Sequence, residues 1–234
     1  MLPACRNDGY DGPVAPSDHG TLALGVAFIH NAHVYELGSI YTDAAGHDFR
    51  LDTLLIVLSA PYGVDDFGAT VANFPQSCLL VDASAENFFL LGELHGHHLH
   101  ELRFNIGLSP ALNHSDPATT AALGGLAPMY SGNTTDGHCF LVVSGRVDGN
   151  GDGELDDGDP AFTFKSMGSG LLRNGMAPAH ADLPESGPLT AWAVVDMAIL
   201  LEGIDFLATA SATGNQPINV QLMDQLAEAM EQGH

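Results

Sequence analysis

The stretch FRLDTLLIVLS, residues 49–59, is a short apolar run with β-branched residues and no sustained helical period. Similar runs recur along the chain, each bounded by turn-forming residues. Short runs of this composition and spacing are typical of strands in an all-β sandwich or barrel. We therefore predict an all-β fold, an antiparallel β-sandwich. The other runs are Thr21–His30, His33–Ile40, Ser77–Asp82, Leu99–Leu108, Cys139–Val147, Ala161–Ser166 and Leu189–Val195.

Three stretches instead favour helix. Ser115-Asp116-Pro117 offers an N-cap with proline in the first turn, ahead of alanine-rich sequence. Asp196 to Glu202 predicts a short helix that ends at Gly203. Pro217 to Gln232 carries apolar residues at helical spacing, and Gly233 follows it. The sequence thus predicts a few short helices and one C-terminal helix.

The 234 residues, 45% of them apolar, are enough for one sizeable domain. We assign that domain to residues 21–234, because residues 1–20 are rich in Gly, Pro and Asp and read as a linker. Leu2-Pro3-Ala4-Cys5 resembles the end of a bacterial lipoprotein cleavage box. On that interpretation Cys5 carries a lipid anchor and the protein lies in the periplasm or cell envelope; the alternative is an ordinary cysteine near a terminus.

Charge is strongly unbalanced, with 6 Lys and Arg against 29 Asp and Glu and a net charge of −23 at pH 7. Such a field repels nucleic-acid phosphates and anionic lipid headgroups, so neither is an expected partner. No apolar run is long enough to span a membrane, which leaves the anchor at Cys5 as the expected membrane contact. Metal ions are the natural partners of surplus carboxylates, although a saline habitat and solubility would also explain the charge.

Two further cysteines remain, Cys78 and Cys139. In an exported protein a pair of cysteines suggests one disulfide, provided that the geometry allows it. We therefore expect Cys78 and Cys139 to be bonded in oxidised protein.

The segment DGNGDGELDDGD, residues 148–159, matches the calcium loop of an EF-hand in its ligand spacing. Gly153 occupies the sixth position, where the loop turns sharply, and Asp replaces the usual Glu at the twelfth. No amphipathic helices flank it, so we predict an isolated calcium loop; the alternative is an acidic, solvated turn. The predicted ligands are Asp148, Asn150, Asp152, the backbone carbonyl of Glu154, Asp156 and Asp159.

Four of the twelve histidines fall in LHGHHLHE, residues 94–101. On a strand, His98 and His100 would share one face, a spacing at which two imidazoles can bind copper or another transition metal. His95 or His97 could supply a third ligand. A plain polar turn is the alternative interpretation of this segment.

Motifs for catalysis are missing from the sequence. It has no Gly-x-Ser-x-Gly, His-Glu-x-x-His or phosphate-binding loop. We therefore expect a protein that is not an enzyme.

A series of short segments, taken in order, resembles the MbnP-like family of methanobactin-associated periplasmic copper-protein relatives. The resemblance implies a β-rich exported protein or lipoprotein. It covers roughly residues 21–210 and is carried by short motifs. These are Leu22–Phe28, Leu37-Gly38, Tyr41–Gly46, Phe49–Ser59, Leu80–Ser84, Leu102–Leu108, Leu126–Tyr130, Gly137–Phe140 and Val143–Asp148.

The sequence departs from the family where the relatives bind copper. Relatives carry Trp after the Met-Tyr pair, whereas Ser131–Asp136 has none and the chain's single Trp is Trp192. Lys165 stands where relatives often have a His, while His30 is similar to an early family His.

Two functions follow as hypotheses. The first is an exported metal-binding domain with a calcium loop and copper or another transition metal at His95, His98 and His100. The second is a non-catalytic cell-envelope interaction lipoprotein that binds calcium only and contacts a periplasmic or outer-membrane protein.

Overall fold

The computed structural model describes residues 19–232 and is built mainly from strands in two sheets. These residues also form α-helices and two 3-10 segments, Ala121–Met129 and Ser169–Leu171. The strands are β1 (His19–His30), β2 (His33–Val34), β3 (Ile40–Thr42), β4 (Asp48–Val64), β5 (Thr70–Asn73), β6 (Cys78–Asp82), β7 (Asn87–His95), β8 (His98–Ile106), β9 (Cys139–Val147), β10 (Ala161–Met167), β11 (Arg173–Asp182), β12 (Pro188–Asp196) and β13 (Ser211–Gly214). The α-helices are α1 (Pro110–Asn113), α2 (Met197–Leu200) and α3 (Pro217–Gln232).

Strand β4, which contains the run 49–59, organises the larger sheet. That sheet runs β11-β8-β4-β9-β10-β13, and β3, β5 and β6 also pair with β4. Strand β4 has 17 residues, which is long enough to pair with β9 at one end and with β8 at the other. Leu54, Ile56 and Leu58 are fully buried, so the apolar run predicted from the sequence forms the centre of the fold.

The smaller sheet has β1 at its centre. Strand β12 pairs with one edge of β1 in parallel, and β2 and β7 pair with it antiparallel. Leu22, Leu24, Val26 and Phe28 alternate along β1 and face the core. The two sheets thus pack as a sandwich around one hydrophobic core, as predicted, with β1–β12 and β10–β13 as parallel pairs in a largely antiparallel fold.

Helices α2 and α3 pack against each other and against the sheets of the sandwich. Helix α3 has the predicted bounds and packs its buried Leu222, Met223 and Leu226 against β11 and β12. Helix α2 is N-capped by Asp196, whose side chain accepts a hydrogen bond from the backbone N–H of Ala198 at 2.9 Å.

Two local predictions needed correction. The segment from Ser115 forms turns rather than an α-helix, and the helical residues that follow, Ala121–Met129, are 3-10 with Pro128 inside. The predicted run 33–40 is broken after Val34 by a turn in which Gly38 has φ 88°.

The predicted disulfide between Cys78 and Cys139 is wrong, because both thiols are free. Strands β6 and β9 both pair with Leu55 and Ile56, so they flank β4 on opposite sides. Two inter-strand spacings, about 10 Å in total, separate them, whereas a disulfide needs Cα atoms about 4.4–6.8 Å apart. Burial raises the pKa of the Cys78 thiol to about 11.

Residues 1–18 of the predicted linker, with the anchor at Cys5, lie outside the described residues, and the last two linker residues, His19 and Gly20, belong to β1. Within residues 19–232, no helix is long and apolar enough to cross a membrane.

Candidate metal centres

The aspartate loop connects the end of β9 to the start of β10. Asp148 follows the strand directly and is only 5% exposed, and Asp159 is 7% exposed. Asp159 accepts backbone N–H bonds from Asp156 at 2.8 Å and from Gly149 at 3.3 Å. The first and last carboxylates of the loop, Asp148 and Asp159, therefore hold its backbone in place through hydrogen bonds. The side chains of Asn150, Asp152, Glu154 and Asp156 are exposed.

Successive side-chain to backbone bonds wind this loop. The backbone N–H groups of Asn150, Asp152 and Glu154 each donate to the side chain two residues earlier, at 3.1, 2.8 and 2.9 Å. Gly153 has φ 78°, which explains the need for glycine at the sixth position. The loop thus has the turns that the spacing predicts.

Asp148 has the most distinctive electrostatics in the loop. Its carboxylate accepts N–H bonds from Gly151 at 2.6 Å and Gly153 at 2.8 Å as well as from Asn150. The bond from Gly153 is the largest of the causes that lower the pKa of Asp148. Within residues 19–232, the loop carboxylates do not gather in threes within 4.8 Å, so calcium binding stays a prediction.

The histidine segment forms a tighter cluster, and the structure places His98 and His100 on the same face of β8. Three ligand atoms converge there: Oδ1 of Asp66 lies 2.9 Å from Nδ1 of His100 and 3.6 Å from Nδ1 of His180. The two Nδ1 atoms are 3.1 Å apart. We call Asp66, His98, His100 and His180 the histidine cluster.

His98 lies beside these three atoms and has a partner behind it. Its Nδ1 is 2.8 Å from Oδ1 of Asp182, while its Nε2 is 3.4 Å from Oδ1 of Asp66. That Nε2 is shielded from solvent and has no hydrogen-bond partner. The hydrogen bond to Asp182 is the largest cause of a raised His98 pKa. A carboxylate behind one ring nitrogen, with the other nitrogen unpaired, is the usual arrangement of a metal-binding histidine.

His180 and Asp66 were missed by the sequence analysis. His180 lies in β11 at a register shift between Pro178 and Ala181, and it has φ 41°. Asp66 lies in the turn between β4 and β5. A lone histidine near a proline and an aspartate in a turn carry no periodic signal, so only the pairing of β8 with β11 and with β4 reveals them.

His95 does not join this cluster. Its Nδ1 lies 3.0 Å from Nδ1 of His19, and its Nε2 lies 3.9 Å from Glu93. Strand β7 pairs with β1, which carries His95 away to the smaller sheet. The cluster thus unites two of the three predicted histidines.

A second group of ligand-type side chains lies at the turn between β3 and β4. Nδ1 of His47 is 3.5 Å from Oδ2 of Asp43 and 3.8 Å from Oδ1 of Asp205. The three residues can each offer one ligand atom within 4.8 Å of the others. No motif or spacing in the sequence predicted this group.

A cleft of about 910 Å³ lies at the Met-Tyr pair and includes Met129, Tyr130, Cys139 and Lys165. Among the described residues that line it, His114 is the one histidine. Among residues 19–232, no group of three His, Cys, Asp or Glu ligand atoms within 4.8 Å lies there. Trp192 is instead on β12, on the outer face of the smaller sheet. Neither a tryptophan nor a group of three ligand atoms therefore lies among the described lining residues of this cleft.

Comparison with solved structures shows that the chain has a β-sandwich fold like that of MbnP. Among solved structures it is similar to MbnP from Methylosinus trichosporium, with a TM-score of 0.60 and 12% sequence identity over 88% of each chain. No protein-family model and no curated protein matches the sequence. The resemblance inferred from its motifs is thus confirmed at the level of the fold.

Proposed function

We propose that this chain is an exported metal-binding protein that holds copper or another transition metal at the histidine cluster. The single observation that carries the proposal is the triangle formed by Asp66, His100 and His180, with sides of 2.9, 3.1 and 3.6 Å. A tetrahedral ion with bonds of about 2.0–2.2 Å separates its ligand atoms by about 3.3–3.6 Å. The 3.6 Å side already has this spacing, whereas the sides of 2.9 and 3.1 Å are hydrogen bonds that would have to lengthen by a few tenths of an ångström around an ion.

His98 supplies the fourth protein ligand in this proposal. Its unpaired Nε2 faces Asp66, and Asp182 fixes the ring through Nδ1. Three imidazoles and one carboxylate favour copper, zinc or nickel over calcium or magnesium, which prefer all-oxygen sites. His180 is 71% exposed and Asp66 49% exposed, so solvent and a partner can reach the ion. The site suits binding and release of a metal rather than a permanently buried structural ion, and we assign no catalytic step to it.

Calcium binding by residues 148–159 is the second part of the proposal. The winding of the loop around Asp148 brings the predicted ligand positions into one short turn segment. In this role calcium orders the connection between β9 and β10. The proposed location is the periplasm or cell envelope, with Cys5 as the lipid-anchored residue.

Metal titration tests the histidine cluster. The protein, prepared without a His tag and stripped of metal by chelator, is titrated calorimetrically with Cu²⁺ in the presence of calcium. One tight equivalent is expected to disappear in His98→Ala/His100→Ala and to persist in His33→Ala, a control at an exposed histidine of β2. Undiminished tight copper binding in the double variant would overturn the assignment.

A second candidate function, that of an interaction lipoprotein, is favoured by one surface. Phe88 of β7 and Trp192 of β12 flank Gly25 of β1 in one cross-strand row, and both are more than two-fifths exposed. Leu90 on the same strand as Phe88 is 67% exposed. Contiguous exposed apolar residues often mark protein contacts. If the copper titration shows no tight site while calcium binds, this candidate replaces the first.

A further inference from the structure

We propose that Asp43, His47 and Asp205 form a second site for a divalent cation, separate from the histidine cluster. One imidazole nitrogen and two carboxylate oxygens are ligands that zinc and manganese share in proteins. The site would join the β3–β4 turn to the segment that follows α2. It stands on its own observations and does not depend on the proposed function.

Asp43 is fixed in place before any ion arrives. Its side chain is fully buried, and its Oδ1 accepts backbone N–H bonds from Ala45 and His47, both at 2.9 Å. Oδ2 accepts the N–H of Phe206 at 3.1 Å. The carboxylate is thereby held between the two segments with Oδ2 toward His47.

Asp205 is oriented in the same way from the other segment. Its Oδ1 accepts backbone N–H bonds from Leu207 at 3.1 Å and Ala208 at 2.9 Å. The same oxygen lies 3.8 Å from Nδ1 of His47. Two preorganised carboxylates from residues 162 positions apart thus approach one imidazole nitrogen.

Nδ1 of His47 is the observation that points to a ligand. The atom is shielded from solvent, yet it has no hydrogen-bond partner in the described part of the chain. A polar atom that is buried without a partner loses its hydration at a cost of about 1–3 kcal/mol. Its distances of 3.5 and 3.8 Å to the two carboxylates are too long for hydrogen bonds, and they are close to the about 3.3–3.6 Å between ligands of a tetrahedral ion.

The two carboxylates of this group carry negative charge that a cation would neutralise. The chain as a whole has a net charge of −23, and among the described residues His47 is an ion-pair partner that Asp43 and Asp205 share. The His47 and Asp205 side chains are 32% and 40% exposed, so water can complete the coordination. These features suit a three-ligand site with open positions.

Such an ion would stabilise one corner of the core. Phe206, next to Asp205, stacks on Phe162 and contacts Phe49, with ring centroids 4.3 and 4.6 Å apart. The segments also share the backbone bond from Ala44 to Ile204 at 3.3 Å. Binding at this point would therefore hold Phe206 in the core and raise the melting temperature by mass action.

Zinc titration in a suitable background tests this site. The triple variant His98→Ala/His100→Ala/His180→Ala removes the histidine cluster, and excess calcium occupies the aspartate loop. The triple variant is expected to bind one equivalent of Zn²⁺, and to give visible ligand-field bands with Co²⁺. Adding His47→Gln should abolish this equivalent, whereas adding His33→Gln should leave it unchanged.

Asp205→Asn protects the test against misfolding. The Asn side-chain oxygen can still accept the bonds from Leu207 and Ala208, so the fold is retained while one charge is lost. At least a tenfold loss of zinc affinity is expected. The second site would be overturned if the triple variant bound no zinc. It would also be overturned if zinc affinity survived both His47→Gln and Asp205→Asn. Neither result bears on copper binding by the wild-type cluster, which the earlier titration tests separately.

Discussion

His180 occupies a backbone conformation that L-residues rarely adopt. Its φ of 41° is in the left-handed region, which costs a residue with a Cβ about 1–2 kcal/mol. Strain of this kind is kept where a side chain has a task. In the proposed site that task is to bring Nδ1 within 3.1 Å of His100.

Substitution of His180 should separate stability from metal binding. His180→Gly and His180→Ala both remove the imidazole, and both are expected to weaken copper binding at least tenfold. Since only glycine relieves the backbone strain, His180→Gly should be more stable than His180→Ala by about 1 kcal/mol. Chemical denaturation and copper titration of the pair check this. Equal stability of the two variants would argue against strain at this position.

Asp148 gives the fold an acid-sensitive point. The N–H bonds from Gly153, Gly151 and Asn150 favour its carboxylate form and lower its pKa in the folded protein. The resulting stabilisation is therefore present above the unfolded-state pKa, about 3.9, and is lost as pH falls from there through the folded-state value. Metal-free Asp148→Asn should show a smaller drop in melting temperature between pH 5 and pH 3 than the wild type. An unchanged drop would remove Asp148 as a cause.

At the level of single residues, the sequence predicted what is local. Alternation along one strand was enough to place His98 and His100 together. Asp66 and His180 lie 34 and 80 residues from His100, and their approach depends on which strands pair. The loop spacing identified Asp148 and Gly153, but not which carboxylates would be buried.

At the level of elements, the difference between predicted and missed strands has a physical origin. Strand β9 and helix α3 have the predicted bounds because each carries an uninterrupted period. Strand β11 was missed because Gly175 and Pro178 interrupt it, and both suggest a turn. It is tolerated at the edge of the larger sheet, where Pro178 costs no central hydrogen bond. The histidine cluster could not be predicted in full from the sequence, because His180 lies in this strand.

The smaller sheet depends on a close contact between two of its strands. Gly25 of β1 lies opposite Trp192 of β12, and a Cβ at Gly25 would come within 2.4 Å of the indole ring. The indole therefore lies over the backbone of β1 at Gly25.

Gly25→Ala is expected to displace this indole. Overpacking of this kind costs about 1–3 kcal/mol, and the fluorescence of the single Trp should shift to longer wavelength as the ring moves into water. Gly124→Ala is the matched control, since nothing lies near the Cβ position of Gly124. Gly46→Ala would not serve, because Gly46 has φ 91° and an alanine there would strain the backbone. An unshifted spectrum with full stability in Gly25→Ala would contradict the packing described here.

At the level of the whole molecule, negative charge is barely compensated. Each of the four arginines in residues 19–232 pairs with a carboxylate: Arg50 with Asp52, Arg103 with Glu101, Arg146 with Asp157 and Arg173 with Asp224. Lys165, the chain's only lysine, lies instead at the cleft. Self-repulsion therefore opposes the compact state, and cations in any form should stabilise it. A test of calcium binding must separate this general effect from a specific site.

Calcium should raise the melting temperature of metal-stripped protein more than magnesium does at equal concentration. Both ions screen the charge equally, but the aspartate loop offers the flexible, oxygen-only coordination that calcium accepts and magnesium does not. Binding to the folded state alone adds stability that grows with the logarithm of calcium concentration. Scanning calorimetry at constant ionic strength measures the difference, and Asp152→Asn, which keeps the side-chain oxygen that Glu154 needs, should reduce it. Equal shifts with the two ions would show that screening alone acts, and the loop would then be an acidic turn without a calcium site.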